Sequence, residues 1–237
     1  MQRFAVYLAP EADSPLWRFG SQILGYDANT GHELRAPELP GFDRATWHTA
    51  TRDPRTYGFH GTLKAPFRLK PGLTPAILIA ALEALARAHH PFELAPLQVE
   101  ALGPFIALVP PGPVPALMDI AERAVIDLDP LRAPLTEAEM ARRRPDRLSA
   151  RQKALLEAYG YPHVLDQFRF HMTLTGPLHE PARGRALAAL REAYGASGAH
   201  VPYTFTSLAL YHQGRPDHFF KIVHRAALGR GLERAAQ

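Results

Sequence analysis

One eight-residue pattern occurs twice in this chain, and this repeat constrains the possible folds more strongly than any other feature. The copies occupy residues 59–66 (FHGTLKAP) and 170–177 (FHMTLTGP), and their Phe, His, Thr, Leu and Pro positions are identical. An aromatic residue also stands two positions before each copy, as Tyr57 and as Phe168. Shared identities in one register indicate that the chain contains a duplicated unit.

The secondary structure predicted around the two copies repeats in the same order. Each copy is predicted to form a strand, which is followed by a helix and then by two strands. After the first copy, the helix begins at Pro75 and the strands lie at about 92–102 and 105–109. After the second copy, the helix is expected at about 181–194 and the strands at about 201–211 and 218–225.

The rest of the chain completes an α+β pattern, because its helices and its hairpin-linked strands are grouped separately. A strand at 3–9, a helix at about 15–24 and a long loop at 26–56 are predicted before the first copy. Capping boxes at Thr136 and Ser149 predict two short helices, after a longer one that starts at Pro115. The expected organisation is one bilobal domain: a first-motif lobe at about 26–111, a helical insert at about 112–165 and a second-motif lobe at about 166–237.

The spacing within each motif places its polar residues together, because a strand projects every second side chain from the same face. Phe59, Leu63 and Ala65 then point to the opposite face, into a core. We expect the polar face to form the floor of a cleft, and two such strands related by a pseudo-twofold axis to serve one ligand. The polar residues in question are His60, Thr62, Lys64, His171, Thr173 and Thr175.

Two imidazoles and two hydroxyls around one ligand suit phosphoryl chemistry. A neutral imidazole can take a proton from the attacking hydroxyl, while a protonated one donates to the leaving oxygen. The hydroxyls of Thr62 and Thr173 can donate to the non-bridging oxygens as negative charge develops there. The sequence therefore predicts that His60, Thr62, His171 and Thr173 are catalytic, and that Lys64 and Thr175 contact the substrate. The reading of His60 and His171 as ordinary structural histidines is disfavoured by their repeated context.

Neither a metal ion nor any other cofactor is expected. The chain has no cysteine, which excludes a thiolate metal site, and its 12 histidines form no His-Glu-x-x-His pattern. The predicted enzyme is therefore a metal-independent phosphodiesterase.

The basic composition leaves two interpretations open. The formal net charge is +4 and the pI is about 9.5, which suits an anionic ligand or simply reflects a solvated surface. Among the arginines, Arg132 and Arg143 are the candidates for contacting a phosphate, and Tyr57 is a further candidate for binding the substrate. The run from Arg142 to Arg151 also fits a solvated set of helix ends.

The N-terminal residues lack the apolar core of a signal peptide, and no apolar stretch approaches the ~20 residues that cross a bilayer. A cytoplasmic protein without membrane association is expected.

The paired His-x-Thr strands resemble those of the two-histidine (2H) phosphoesterase superfamily, which includes RNA 2′,5′-ligase-like proteins and cyclic nucleotide phosphodiesterases. The resemblance implies two pseudo-symmetric α+β lobes, each with an antiparallel sheet and flanking helices, around a central cleft. It covers the whole chain in element order. It also implies that His60, Thr62, His171 and Thr173 occupy the catalytic positions.

A closer likeness extends over five segments: 4–10 (FAVYLAP), 14–20 (SPLWRFG), 57–67 (YGFHGTLKAPF), 132–136 (RAPLT) and 168–178 (FRFHMTLTGPL). They are similar to a branch of proteins of phosphonate metabolism that is encoded with bacterial carbon–phosphorus lyase genes. This resemblance implies a phosphorylated ribose cyclic phosphate as substrate.

Three functions follow in order of preference. The first is an enzyme that opens a small cyclic phosphodiester, with a small anionic molecule as its partner. The second is an RNA-end enzyme acting on 2′,3′-cyclic or 2′,5′ linkages, which needs aromatic side chains that stack on bases. The third is a non-catalytic binder of nucleotides or RNA, which the intact motifs disfavour. The sequence leaves the oligomeric state open, as well as which histidine is the base.

Overall fold

The structure is a computed structural model that describes residues 1–229, and it confirms the predicted α+β class. The described strands are β1 (Arg3–Leu8), β2 (Tyr26–Asp27), β3 (His32–Glu33), β4 (Gly61–Phe67), β5 (Phe92–Leu94), β6 (Gln98–Leu102), β7 (Phe105–Val109), β8 (Met172–Thr173), β9 (Tyr203–Phe205), β10 (Ser207–Gln213) and β11 (Lys221–Ala227). The helices are α1 (Pro15–Leu24), α2 (Arg44–Ala50), α3 (Arg52–Arg55), α4 (Pro75–Arg87), α5 (Pro115–Leu128), α6 (Glu137–Arg142), α7 (Ala150–Tyr159) and α8 (Ala182–Ala196).

Seven strands form one antiparallel sheet in the order β11-β10-β1-β4-β8-β7-β6. The motif strands β4 and β8 lie side by side near its centre and join at one residue pair, Gly61 with Met172. The two lobe sheets expected from the sequence are therefore continuous with one another through this pair.

The two halves of the sheet exchange their hairpins. Hairpin β6–β7 follows the first motif in the chain but lies beside β8, on the side of the second motif. Hairpin β10–β11 follows the second motif but lies beyond β1 on the side of the first. The helices do not exchange, since α4 packs on β10 and β11 and α8 packs on β6 and β7. The halves of the sheet thus do not coincide with the chain segments 26–111 and 166–237.

Helix α1 supports the first motif from behind. It begins at Pro15, where the Ser14 side chain accepts a hydrogen bond from the Trp17 amide at 3.1 Å. The fully buried ring of Phe59 lies directly on Gly20 of this helix, where an added Cβ would come within 2.2 Å of the ring. Only a glycine permits this approach, so the back of the motif is held by close packing against α1.

Four segments differ from the predicted elements, and one of them is the strand expected at about 201–211, which is divided into β9 and β10. The segment expected to be a loop, 26–56, contains strands β2 and β3 and helices α2 and α3. The strand expected at 92–102 is two strands, and β5 pairs with β9 outside the main sheet. Pro96 lies between β5 and β6 and has no amide hydrogen for a ladder, so the pairing changes there. The second motif is in strand conformation only over Met172–Thr173.

The helical insert matches its prediction closely. Thr136 and Ser149 both form capping boxes, with Glu139 and Gln152 as the reciprocal partners. Across residues 1–229, every helix is too short or too polar to cross a membrane.

Candidate active site

The pairing of β4 with β8 brings the two copies of the motif together. Gly61 opposes Met172, and this is the residue pair that joins the two strands. His60 and His171 each lie immediately before the strand of their own motif, and Thr62 and Thr173 lie within those strands. Thr62 and His171 line one cavity, and His60 adjoins Thr62 through a hydrogen bond.

His60 is held on both ring nitrogens. Its Nδ1 donates to the carbonyl of Gly58 at 2.9 Å, and its Nε2 accepts from the Thr62 hydroxyl at 3.0 Å. Gly58 has a φ of +74°, and this left-handed conformation favours glycine. Tyr7 of the neighbouring strand β1 stacks on the imidazole, with ring centroids 3.7 Å apart and planes inclined by 16°. The Nδ1 bond leaves the lone pair of the neutral ring on Nε2.

The environment of His60 favours its neutral form. Burial is the main cause that lowers its pKa from 6.5 to about 4; the charge of His171 acts in the same direction, and the bond to Gly58 opposes the shift. At neutral pH the imidazole therefore has an unprotonated Nε2 that is able to accept a proton.

His171 repeats the anchor of His60 in a more open setting. Its Nδ1 donates to the carbonyl of Arg169 at 2.8 Å, again two residues upstream. Its ring lies 5.5 Å from the ring of Phe105, at an angle of 50°. Burial and the nearby Arg169 lower the pKa of His171, and the bond to the carbonyl opposes this. The duplication thus preserves the orientation of the imidazole, although Gly58 and Arg169 are different residues.

A cavity of about 620 Å³ opens beside the two motifs. Thr62 and His171 line its floor, and Tyr161, His163 and Arg169 are among the residues of its walls. His60 and Thr173 are not among the lining residues, and His60 adjoins the cavity through the Thr62 hydroxyl. Along the described chain, none of the residues that line this cavity is acidic. Its charge therefore favours an anionic ligand.

Three residues expected to contact the substrate lie elsewhere. The Lys64 ammonium donates to the Val125 carbonyl at 3.0 Å and to Asp129 at 3.1 Å, and its side chain is buried. Arg132 forms a two-point ion pair with the same Asp129. Thr175 is fully buried, and its hydroxyl accepts from the Ile106 amide at 3.0 Å. For Lys64 and Thr175, the alternation of a strand specifies a face, but not which elements cover that face.

Tyr57 and Arg143 lie nearer to the cleft. The ring of Tyr57 stacks on Phe220 at 5.4 Å and lies 6.4 Å from the imidazole of His60. The guanidinium of Arg143 lies 4.8 Å from the ring centroid of Tyr161, which lines the cavity. Both residues remain candidates for binding the substrate at the margin of the site.

Several residues of the site had no signal in the sequence. Tyr7 belongs to a strand whose pairing with β4 joins distant parts of the chain. Tyr161 and His163 lie in the insert and reach the cavity only through its packing. Arg169 occupies the position equivalent to Gly58 beside the second motif, but a glycine in the other copy gives no indication that this side chain lines a cavity.

Within residues 1–229, no three His, Asp or Glu side chains form a group that could hold a metal ion. Independence from metals stays a prediction.

Comparisons with known proteins place the chain in a family. A sequence model of the family described as "Protein of unknown function (DUF1045)" matches residues 62–221, which is 160 of the 237 residues. The match begins at Thr62, inside the first motif, and includes the whole second motif.

Two curated proteins are similar in sequence. Ribose 1,5-bisphosphate phosphokinase PhnN of Janthinobacterium sp. (strain Marseille) is 37% identical over 240 residues, which cover 100% of this chain and 53% of that protein. The protein of the same name from Laribacter hongkongensis (strain HLHK9) is 37% identical over 184 residues, which cover 75% of this chain and 41% of that protein. The chain spans about half the length of these relatives or less, so their name describes considerably longer proteins.

Two solved structures resemble the fold more distantly. "Crystal structure of phosphoesterase" has a TM-score of 0.43 at 15% identity and covers 97% of this chain and 99% of that one. The structure of E. coli LigT complexed with 3'-AMP has a TM-score of 0.41 at 15% identity, with the same coverage. At these values, neither likeness assigns a function.

Proposed function

We propose that this chain, which belongs to the family described as "Protein of unknown function (DUF1045)", is a phosphoesterase. More specifically, we propose that it is a metal-independent phosphodiesterase. Its proposed reaction is the opening of a small cyclic phosphodiester by general acid and base catalysis. The observation that carries this proposal is the pair of imidazoles, each anchored through Nδ1 to the carbonyl two residues upstream and each beside a threonine.

The two histidines have different proposed roles. His60 is the base, because burial holds its ring in the neutral form and the Nδ1 bond to Gly58 leaves the lone pair on Nε2. A water oxygen attacks phosphorus while its proton passes to Nε2 of His60. One ester P–O bond breaks, and the leaving oxygen takes the proton that Nε2 of His171 carries. The product is a phosphomonoester with a free hydroxyl, and exchange with solvent returns both rings to their starting protonation states.

His171 needs a proton before it can act as the acid. Burial lowers its pKa in the free protein, but the charge of a bound phosphodiester favours the imidazolium and acts in the opposite direction. The more open position of His171 beside the cavity suits this role, since a ligand there contacts the ring directly.

The threonines complete the proposed site. Thr62 donates to His60 in the absence of substrate, and turning its hydroxyl to a non-bridging oxygen frees Nε2 for the attacking water. Thr173 follows Met172, the residue that pairs with Gly61, and serves the other non-bridging oxygen. Two donors aimed at the developing charge stabilise the transition state more than the ground state.

The preferred substrate is a phosphorylated ribose cyclic phosphate. A cavity of about 620 Å³ without acidic lining residues suits a small, multiply charged molecule. The likeness to proteins encoded with carbon–phosphorus lyase genes supports a sugar phosphate, as does the ribose bisphosphate in the names of both curated relatives.

RNA ends are the second candidate, because the cavity has aromatic walls. Phe105, Tyr161 and Phe168 line it, and Arg169 lies beside them. Aromatic faces beside arginine are the features that single-stranded RNA recognition uses. This arrangement supplies the stacking surface that the sequence did not reveal.

A panel assay separates these proposals. The wild-type protein would be incubated with a ribose cyclic phosphate that carries a second phosphate, the same compound without it, a 2′,3′-cyclic nucleotide and a short RNA ending in a cyclic phosphate. Phosphorus NMR would follow formation of the monoester. We expect fastest turnover of the doubly phosphorylated sugar, whereas faster turnover of the RNA would favour the second candidate. Binding of several ligands without turnover of any would indicate the non-catalytic alternative.

A further inference from the structure

Lys64 has no part in the proposed acid and base steps, although it belongs to the motif strand itself. Its side chain is only 4% exposed, and it is not among the residues that line the cavity. We propose that Lys64 is a positioning residue, which with Asp129 and Arg132 holds the helical insert against β4 and so fixes one wall of the cleft. The kinetic part of this inference rests on the proposed function, while its structural part does not.

The first link joins β4 to the end of α5. The Lys64 ammonium donates to the carbonyl of Val125, in the last turn of α5, and to Oδ1 of Asp129, immediately after that helix. The last carbonyls of a helix lack partners within it and carry partial negative charge, so a cation is favoured there. Burial lowers the pKa of Lys64 to about 8, and Asp129 opposes this shift by favouring the ammonium.

The second link joins the same carboxylate to the end of α7. Arg132 donates from Nε and Nη2 to the two oxygens of Asp129, at 2.8 and 3.2 Å, and from Nη2 to the carbonyl of Ala158 at 2.9 Å. Gly160 ends α7 with a φ of +72°, and an added Cβ there would lie 3.0 Å from Nη1 of Arg132. The guanidinium therefore occupies the space left open at the glycine and satisfies a terminal carbonyl of α7.

The chain that leaves α7 forms the wall of the cleft. Tyr161 and His163 lie within three residues after Gly160, and both line the cavity. The buried apolar cluster beneath this segment is small and separate from the main core; its members are Val125, Leu155 and Val164. Apolar packing alone offers this wall few contacts, so the directional bonds from Lys64 through Asp129 to Arg132 determine its distance from the motif strand.

The test compares Lys64→Met with Lys153→Met, a matched loss of an exposed lysine on α7. We expect kcat/KM of Lys64→Met to fall about 10- to 100-fold through a higher KM, because the wall that binds the substrate shifts. We expect kcat to stay within about threefold, since the imidazoles keep their own anchors to the sheet. Hydrogen exchange of the Lys64→Met variant should accelerate in residues 145–165 but not in β4 or β1. Lys153→Met should match the wild type in every measurement.

Two results would overturn the proposal. A large loss in kcat at unchanged KM would mean that Lys64 acts on the reacting phosphate itself. Unchanged KM together with unchanged exchange in the insert would mean that the network does not hold the wall. The exchange experiment needs no substrate, so it decides the structural claim even where the panel assay fails to find a phosphodiesterase.

A second variant covers the case in which Lys64→Met does not fold. Arg132→Gln removes the far end of the network while keeping Lys64 with Asp129, and it should raise KM and exchange in the same segment. Combining it with Asp129→Asn should add little to either single effect, because both residues act through one network. Full additivity, or normal exchange in Arg132→Gln, would contradict the inference.

Discussion

The two copies of the motif have nearly the same sequence but lie in different surroundings. The first continues from His60 into β4, which is seven residues long and paired on one side with β1 and on the other with β8. The second forms only the two-residue strand β8, and His171 lies beside the cavity instead of beneath a tyrosine. Both imidazoles have the same Nδ1 anchor, yet burial lowers the pKa of His60 more than that of His171. The repeated sequence thus determines how each imidazole is oriented, and the neighbouring elements determine how readily it binds a proton.

The largest expected effect is the loss of either imidazole. His60→Ala and His171→Ala should each lower kcat by about 10²–10⁴, because each removes one proton-transfer group. The double variant should lose less than the product of the two effects, since both groups serve one step. Steady-state kinetics on the substrate identified by the panel would measure this, with the exposed His179→Ala as the control. Near-normal turnover in either variant would show that this copy of the motif is structural.

A smaller loss is expected at the threonines, and it should differ between the copies. Thr62→Val and Thr173→Val should each lower kcat by about 10- to 10³-fold, since each removes one donor to the developing charge. Thr62→Val should also raise the pKa of His60, because the Thr62 hydroxyl donates to the neutral imidazole and favours that form. The acidic limb of the pH–rate profile should therefore move to higher pH in Thr62→Val alone. An equal shift in both variants would mean that the copies are functionally symmetric.

The pH dependence of stability should include a contribution from His60. Its pKa is about 4 in the folded protein and about 6.5 in an unfolded chain, so between these values only the unfolded state takes up the proton. The contribution of His60 to the free energy of unfolding is complete above pH ~6.5 and is lost as the pH falls to ~4. We expect this contribution to be about 1–3 kcal/mol. It should be smaller than the energy that corresponds to the full pKa shift, because the ring is not completely enclosed. Urea unfolding of the wild type and His60→Gln at pH 4.5 and 7 would measure it. Equal pH dependence of both proteins would contradict the assignment.

The central pair of the two motifs offers a test of packing. A Cβ at Gly61 would come within 2.2 Å of the Phe170 ring, so Gly61→Ala should destabilise the fold by about 1–3 kcal/mol through overpacking. Gly61→Ala combined with Phe170→Leu should recover part of this loss, because the smaller side chain makes room. Thermal or urea unfolding would measure the stability of both variants. A stable Gly61→Ala variant would mean that the two motif strands tolerate a wider separation.

The smallest expected effect is that of a chelator. Activity should be unchanged after EDTA treatment and dialysis, because the proposed site supplies acid, base and charge stabilisation from side chains alone. Loss of turnover that a divalent cation restores would move the site into the metal-assisted class.

Local patterns were sufficient for the parts of this protein that depend on nearby residues. The capping boxes at Thr136 and Ser149 and the Pro15 helix start were predictable because their contacts span three or four residues. The strand at 92–102 was predicted wrongly, since strand propensity does not show where the pairing partner changes. Segment 26–56 was predicted as a loop, because helices as short as α2 and α3 have too little periodicity to be recognised.

The sequence by itself determined that two His-x-Thr units exist and that each presents its polar pair on one face, because alternation along a strand is a local property. Only the tertiary structure decided what surrounds them. In the tertiary structure Gly61 pairs with Met172, Tyr7 stacks on His60, and the Lys64 ammonium donates to the carboxylate of Asp129. The hairpins are also exchanged between the halves of the sheet. Each of these contacts joins residues tens to hundreds of positions apart, and their choice depends on the packing of the whole chain rather than on any local pattern.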